Sequence, residues 1–286
     1  MKKIIPLIGL LLCFHFSKAQ WTNFNQANSG LSANLTWYVY EDNSHYLWVA
    51  TNNGLNRYNL TNGVWNNYTV ANSGISSNDI HGLVSDNSGT LWIATYGGGI
   101  CSFDGTNWNV YNTANSNLPV NQIYHLTYDS SSNTIWGGTR YGGLVKFAIN
   151  TGTWTTYDQM DGLTDDVIDD VAIAPNGDVW IACRYDGVAK YNGSNFTYYT
   201  VSNSGIAGND IYSINVDQSG RVWAGATTGL SVFDGVNWTN YTTTNSSITG
   251  NYIRQIEFDI YANAWISTGG GGILKFNGTT AWTSYN

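Results

Sequence analysis

Six tryptophans recur along the chain at intervals of 42 to 44 residues, and this period restricts the fold more than any other feature. Each tryptophan lies in a short apolar stretch that ends in a glycine turn, as in "TLWIATYGGGI" from Thr90 and "DVWIACRYDGV" from Asp178. The six are Trp48, Trp92, Trp136, Trp180, Trp223 and Trp265. A second aromatic series follows them, namely Trp65, Trp108, Trp154, Phe196, Trp238 and Trp282. Repeats of this length bury their apolar residues by stacking on their neighbours.

Turn residues divide each repeat into four short strands. In the second repeat the predicted strands are 80–85, 91–95, 100–103 and 108–111, separated by "DNSG", a glycine run and Asp-Gly. Four antiparallel strands every 40 to 45 residues are typical of a propeller blade. The sequence therefore predicts an all-β six-bladed β-propeller of four-stranded antiparallel blades over residues 20–286. A β-solenoid is the alternative, although its coils have shorter repeats.

An extra copy of the fourth-strand pattern precedes the first full repeat, at Trp21 and Phe24. We expect this segment to pair with the blade of Trp282 and so close the ring by joining the N- and C-terminal strands, which removes free sheet edges. It could instead add a strand outside that blade, and a ring completed by another chain is a further alternative.

The first nineteen residues have the pattern of a secretory signal peptide. Met1-Lys2-Lys3 is basic, 4–16 is apolar, and Ser17-Lys18-Ala19 offers a small-residue cleavage site. Leu12 precedes Cys13 where a lipoprotein anchor would need a small residue. We expect a single propeller domain exported to the periplasm or the extracellular space, without membrane insertion.

The charge balance excludes some classes of partner. Without the three lysines of the leader, 8 basic residues face 19 acidic ones, a formal net charge of −11. A nucleic-acid binder needs a basic surface, so we expect no nucleic-acid partner. Only Cys101 and Cys183 remain, and they predict no disulfide framework.

The segment "GISSNDIHGLVSDNSGTLWIAT" from Gly74 resembles the repeat of the two-component regulator propeller family. Further copies begin at Gly30, Gly162 and Gly205, and degenerate ones near Leu118 and Ile248. The resemblance covers nearly all of the chain after the leader. It implies a periplasmic β-propeller similar to the sensor part of hybrid histidine kinases that respond to glycans. The sequence shows no transmembrane helix, immunoglobulin-like spacer or kinase region, so we expect binding without signalling output.

Candidate ligand-binding residues are those that differ between the repeats at positions expected to face one mouth of the ring. At the first strand these are Trp37, His81, Tyr124, Asp169, Tyr212 and Arg254; the loop after the second strand adds Tyr96, Arg140, Tyr141, Arg184 and Tyr185. Aromatic rings and guanidinium groups suit a sugar ring or a carboxylate. Alternatively, the tyrosines pack over the rim and the arginines pair with nearby acidic residues. The Asn or Asp two residues before each first strand is interpreted as structural.

Catalytic and metal sites are less well supported. The carboxylates of the acidic run 158–170 could bind calcium, although the run lacks the spacing of a calcium loop. The glycines at 269–272 lack a phosphate-binding motif. Asp169 and Asp170 are expected on opposite faces of a strand, as are the positions of His81 and His125. We therefore predict a monomeric, non-catalytic module without cofactor that binds a glycan or peptide. The alternatives are a protein scaffold or a polysaccharide lyase using Tyr124, His81, Tyr141 and Arg140.

Overall fold

The computed structural model describes residues 22–277 and 281–285, which form six four-stranded antiparallel sheets around a central channel. Blades I to III comprise β1 Thr36–Glu41, β2 Tyr46–Thr51, β3 Gly54–Asn59, β4 Trp65–Tyr68, β5 Ile80–Ser85, β6 Leu91–Thr95, β7 Gly99–Phe103, β8 Trp108–Tyr111, β9 Ile123–Asp129, β10 Thr134–Thr139, β11 Leu144–Ala148 and β12 Thr153–Tyr157. Blades IV to VI comprise β13 Ile168–Ile173, β14 Val179–Cys183, β15 Gly187–Tyr191, β16 Phe196–Tyr199, β17 Ile211–Val216, β18 Val222–Ala226, β19 Leu230–Phe233, β20 Trp238–Tyr241, β21 Ile253–Phe258, β22 Ala264–Thr268, β23 Gly272–Phe276 and β24 Trp282–Tyr285. The predicted six-bladed propeller is confirmed.

The described residues contain no α-helix, and their one helical element is the 3₁₀ turn Gln159–Asp161. Accordingly, no helix in the described part of the chain has the length and apolar character needed to cross a membrane. The segment 1–19, for which a signal peptide is predicted, lies outside the described residues.

An aspartate in the turn between the first two strands fixes the start of four of the six blades. In blade II, Asp86 Oδ1 accepts the backbone N–H groups of Ser88 and Thr90, which fixes the turn, while Oδ2 accepts the indole N–H of Trp92 at 2.9 Å. A buried indole N–H without an acceptor would destabilise the core. The same aspartate-tryptophan bond recurs in three other blades, as Asp42 with Trp48, Asp217 with Trp223 and Asp259 with Trp265.

The glycine run of blade II is required by the way strands and blades meet. Gly99 begins β7 with a φ of 83°, and its N–H donates to the carbonyl of Asn121 in the next repeat at 3.0 Å. A Cβ on Gly99 would lie 2.1 Å from the carbonyl oxygen of Tyr111. Gly54 and Gly187 begin the third strands of two other blades, and Gly143 and Gly229 directly precede those of two more. A Cβ on any of these four would lie 2.1 to 2.9 Å from a fourth-strand carbonyl oxygen. These glycines are structural.

The repeated asparagines are structural as well. The side-chain oxygens of Asn34, Asn78, Asn121, Asn209 and Asn251 each accept the backbone N–H eight residues earlier, at 2.8 to 2.9 Å. Each bond ties the loop after a fourth strand to the start of the next blade. In blade IV an aspartate, Asp166, stands at the position that asparagine has in the other five blades.

Five apolar clusters fill the five junctions between consecutive blades I to VI. The junction of blades II and III is typical: Trp92, Ala94 and Ile100 on one wall pack against Ile123 and Leu126 on the other. The first tryptophan series is accordingly buried, at 1 to 4% exposure for Trp48 through Trp223. Cys101 and Cys183 are buried free thiols within these clusters.

The junction between blades VI and I is much more open than the other five. Val39 on β1 is 53% exposed, whereas its counterparts Leu83, Leu126, Val171, Ile214 and Ile256 are 0 to 2% exposed. Ile273 on β23 is 40% exposed, whereas its counterparts Leu55, Ile100, Leu144, Val188 and Leu230 are 0% exposed. Tyr38 crosses this junction by donating its hydroxyl to Glu257 Oε1 at 3.1 Å. We call this the open junction.

The N-terminal segment does not fill the open junction in the described residues. Thr22 to Phe24 form no strand, and the sheet of blade VI has its own four strands. Phe24 packs on Tyr58 and Trp65 of blade I, with ring centroids 5.3 and 5.7 Å away. Trp21 lies outside the described residues, so its pairing with the blade of Trp282 stays a prediction.

Candidate functional site

Every first strand carries a β-bulge, and the bulge determines which side chains reach the mouth of the channel. The pairing register shifts by one residue in all six first strands, for example between Ile80 and Gly82 in blade II. The residues inside the shifts are Trp37, His81, Tyr124, Asp169, Tyr212 and Arg254. A bulge leaves its extra residue unpaired and re-aims the side chain.

The bulged residues and their neighbours along the strand line two different cavities. Asp169 lines a cavity at the mouth, and Asp170 lines a second cavity deeper in the channel. His81 likewise faces the mouth, while His125 of the next blade faces the deeper cavity. Each pair is therefore divided between two cavities, and the orientation of its side chains to opposite faces of a sheet stays a prediction.

The mouth cavity has a volume of about 790 Å³ and draws residues from all six blades. Of the predicted site residues it brings together Trp37, His81, Tyr96, Tyr124, Arg140, Asp169, Arg184, Tyr212 and Arg254. Tyr141 and Tyr185 are not part of its lining and stand on the rim, 64 and 60% exposed. The comparison of the repeats within the sequence did not identify Asp79 and Tyr252 as lining residues, because they precede the first strands at positions that resemble turns.

Backbone hydrogen bonds place the loop side chains at this mouth. The N–H of Tyr96 donates to the carbonyl of Asp79 at 2.8 Å, and that of Arg140 donates to Gln122 at 3.0 Å. The N–H of Arg184 donates to Val167 at 2.9 Å. Each bond fixes the residue after the second strand beside the start of the first strand, and therefore beside the bulge.

One wall of the cavity, from blades I to III, is a self-stacked aromatic layer. His81 is stacked between Trp37 and Tyr96, with centroid distances of 4.8 and 5.3 Å. Asp79 accepts the indole N–H of Trp37 at 3.1 Å and lies 3.3 Å from His81 Nε2. Burial lowers the pKa of His81, although the nearby Asp79 carboxylate opposes this shift by raising the pKa. The imidazole is the middle ring of this three-ring stack.

The opposite wall, from blades IV to VI, combines tyrosines with arginines. Arg184 lies 4.0 Å from the ring centroid of Tyr212, and Arg254 lies 4.5 Å from that of Tyr252. The two tyrosine rings meet edge to face at 4.9 Å. Cation–π contacts of this kind hold a guanidinium in place while leaving its N–H donors free for a ligand.

The three arginines at the mouth differ in whether their charge is already neutralised. Arg184 forms an ion pair with Asp169 at 2.7 Å. Neither Arg140 nor Arg254 forms an ion pair with any other described residue. Arg140 instead donates to the hydroxyl of Tyr96 and lies over the ring of Tyr141. Two guanidinium groups at the mouth are therefore available to an anion.

Asp169 is an unusual carboxyl group because it is both paired and buried. Burial raises its pKa to about 7, and the neighbouring Asp170 and Asp165 add to the shift, while Arg184 opposes it. The ion pair that neutralises Arg184 therefore weakens as the pH falls through 7.

The deeper cavity, of about 260 Å³, contains a network of polar side chains. His125 Nδ1 lies 2.7 Å from Asp170 Oδ1, and Glu257 accepts hydrogen bonds from Tyr38, Gln255 and Asn215. Burial lowers the pKa of His125, but the Asp170 carboxylate outweighs it and leaves the pKa raised. This network links side chains of blades I, III, IV, V and VI across the channel.

The acidic run 158–170 is dispersed rather than gathered at one point. Asp158 caps the 3₁₀ turn, accepting the N–H of Met160 at 2.7 Å. Asp165 accepts the N–H groups of Val167 and Tyr185. Among the described residues no group of three acidic, histidine or cysteine side chains is arranged to hold a metal ion.

Comparison with known proteins supports the fold. The chain superimposes on the extracellular domain of hybrid two component system BT3049 from B. thetaiotaomicron with a TM-score of 0.79 and 22% identity, over 92% of this chain but 36% of that one. PorZ, a surface component of the type-IX secretion system of Porphyromonas gingivalis, superimposes with a TM-score of 0.70 and 17% identity, over 92% of this chain and 43% of that one. Virginiamycin B lyase from Staphylococcus aureus superimposes with a TM-score of 0.70 and 12% identity, over 87% of this chain and 83% of that one.

The chain thus spans about a third of the length of the first of these proteins. No curated protein matches its sequence. Residues 74–97, which contain the bulged strand β5 and the tryptophan strand β6, match the family model named two component regulator propeller. The matched segment lies within the second of the six repeats of the ring.

Proposed function

We propose that the chain is an exported, non-catalytic binding module that takes an anionic ligand at the mouth of its channel. The ligand class is a glycan with carboxylate or sulfate groups, or an acidic peptide. The observation that carries the proposal is the pair Arg140 and Arg254, which line one cavity beside aromatic rings without a carboxylate partner. Guanidinium groups bind carboxylates and sulfates through paired N–H donors, and the exposed face of Trp37 offers a surface for a sugar ring.

The surroundings favour binding over catalysis. A lyase needs a base that loses its proton readily. Burial raises the pKa of Tyr124, the candidate base, and the nearby Asp169 adds to the shift. His81, the other candidate, is confined between two aromatic rings. Export and a place at the cell surface remain part of the proposal, in keeping with the extracellular setting named for the BT3049 domain.

The test is an array of carboxylated, sulfated and neutral glycans together with acidic peptides, followed by calorimetry on any ligand bound. Replacing Arg140 or Arg254 with Gln removes hydrogen bonds to a charged group, so we expect binding to weaken about tenfold to a hundredfold for each. Arg57→Gln is the matched control, because Arg57 also lies over aromatic rings but outside the cavity. Equal effects of all three substitutions, or binding of neutral glycans alone, would overturn the proposal.

A further inference from the structure

The aspartate that accepts the indole N–H of the second-strand tryptophan in four blades is missing from blade IV, where Ala174 takes its position. In those four blades the distance from Nε1 to the aspartate Oδ2 is 2.7 to 3.1 Å. The nearest carboxylate along the blade IV turn, that of Asp178, instead accepts Nδ2 of Asn176 at 3.0 Å. In the part of the chain that the structure describes, the indole N–H of Trp180 is therefore a donor without an acceptor.

A cavity of about 410 Å³ lies beside this donor. Its lining includes Trp180 and Lys190 of blade IV and extends to Phe233 and the turn 218–220 of blade V. A volume of this size is typical of sites for small ligands. Blade III provides a contrast, because the indole N–H of Trp136 also lacks an acceptor but is enclosed by protein. Blade IV thus combines an unsatisfied donor with space for a ligand.

Blade VI shows how a carboxylate is held by the same kinds of side chain. Asp259 Oδ2 accepts the indole N–H of Trp265 at 2.9 Å and lies 3.9 Å from Nζ of Lys275. Lys275 pairs with Trp265 across the strands and lies 5.0 Å from its ring centroid. Lys190 pairs with Trp180 in the same register, 5.8 Å from its ring. The N–H donor and the cation that hold a carboxylate in blade VI are therefore both present in blade IV.

The two blades differ in the residue that lies two positions before the tryptophan. Blade VI has Asn263, whose Nδ2 donates to Asp259 Oδ2 at 2.8 Å. Blade IV has Asp178, whose Oδ2 lies 3.6 Å from Nζ of Lys190. This separation is too long for a direct hydrogen bond, and the ammonium group has three N–H donors. Lys190 can therefore serve a second carboxylate besides that of Asp178.

We propose that the pocket beside Ala174, Trp180 and Lys190 binds a carboxylate group supplied from outside the chain. The carboxylate takes the position that an aspartate has in four other blades, accepting hydrogen bonds from the indole N–H and from the ammonium. Its source is an acidic side chain of a polypeptide or a small organic acid. The pocket lies at the end of the first strand opposite the mouth, so it does not depend on the proposed function of the mouth.

The experiment follows the indole N–H signal of Trp180 by NMR in the purified chain with isotope-labelled tryptophan, assigned with Trp180→Phe. The probes are acetate and the blocked peptide acetyl-Gly-Glu-Gly-amide, and the neutral control has Gln in place of Glu. We expect a saturable downfield shift with both acids and none with the Gln peptide. Trp92 is the internal control, because Asp86 already accepts its N–H. Saturation at a lower concentration of the Glu peptide than of acetate would identify a polypeptide source, and the reverse order a small acid.

Three substitutions in the pocket have distinct expected effects. Ala174→Asp supplies the carboxylate from the chain itself, so the Trp180 signal should move without any probe and no longer respond to one. Lys190→Gln removes a hydrogen bond to a charged group and should weaken binding about tenfold or more. Asp178→Asn gives the arrangement of blade VI and removes a like charge, so the acids should bind about fivefold more tightly or more.

Three results would show that the pocket is not a carboxylate site. The Trp180 signal could ignore both acids, it could move equally with the Gln peptide, or it could respond unchanged in Ala174→Asp. If a substituted chain does not fold, the difference between the Glu and Gln peptides on the unsubstituted chain decides the question. Because the signal is local to blade IV, it reports this pocket whether or not the mouth binds the same probes.

Discussion

At the scale of single residues, the mouth is defined by which charges are free and which are paired. Arg140 and Arg254 have no carboxylate partner among the described residues, whereas Arg184 shares its charge with Asp169. In the proposed function, the affinity of the cavity for an anion therefore depends on the protonation state of the Asp169 carboxyl group. The sequence placed both Asp169 and Arg184 near the mouth and left pairing of the arginines with nearby acidic residues as an alternative. It did not identify this pair, since the two residues lie fifteen positions apart on separate elements.

The binding of a carboxylated or sulfated ligand should strengthen as the pH falls from 8 to 6. With a pKa of about 7, Asp169 is ionised at pH 8 and mostly neutral at pH 6, which frees Arg184 for the ligand. Sulfate groups stay ionised throughout, so a sulfated glycan isolates the change in the protein. Calorimetry across this range measures the effect. Asp169→Asn should give the low-pH affinity at every pH, and a profile that stays steep in this variant would contradict the assignment.

At the scale of the elements, the blades were predictable because their spacing follows directly from turn residues and aromatic positions. The four strands of blade II occur where the turn signals put them, except that Gly99 joins the third strand. The bulges were not predictable, because nothing in "NDIHGLV" distinguishes a bulged strand from a regular one. That omission hid the division of the first-strand side chains between a mouth cavity and a deeper cavity. Tyr252 was missed because it precedes its strand.

The glycine turn of blade II offers a matched pair of substitutions. Gly97→Ala forces a side chain into a positive-φ conformation, which costs about 1–2 kcal/mol, but its Cβ meets no atom within 4 Å. Gly99→Ala adds a clash with the carbonyl of Tyr111, and should cost about 1–3 kcal/mol more. Thermal and urea unfolding of both variants measure the difference. Equal destabilisation would show that the strand end relaxes freely.

At the scale of the whole molecule, the ring behaves as a line of repeats with two ends. Stability in stacked repeats is close to a sum of the units and the interfaces between neighbours. Blades II to V each pack on two neighbours, while blades I and VI each have one packed junction and share the open one. The sequence raised the question of how the ring closes but did not show that the junction between blades VI and I stays open, where Thr36 stands in place of the buried isoleucine of the other blades.

Hydrogen exchange should therefore be fastest in the first and last blades. We expect the amides of β1–β3 and β21–β23 to exchange sooner than those of β9–β15, because opening the terminal blades breaks one packed interface rather than two. Mass spectrometry of the exchanged chain measures this order. Tyr38→Phe removes the hydrogen bond to Glu257 and should accelerate exchange in blades I and VI only. Uniform protection around the ring would contradict the open junction.

The bulged residues have a consequence for how the proposed binding preference could change. Six residues, one in each blade, are skipped in the pairing of the first two strands, and none belongs to the five apolar clusters between the blades: Trp37, His81, Tyr124, Asp169, Tyr212 and Arg254. The proposed ligand contacts and the strand pairing thus use different positions of the same first strands. A library randomised at these six sites alone should retain the propeller while sampling new ligands, which makes the ring a ready scaffold for laboratory evolution.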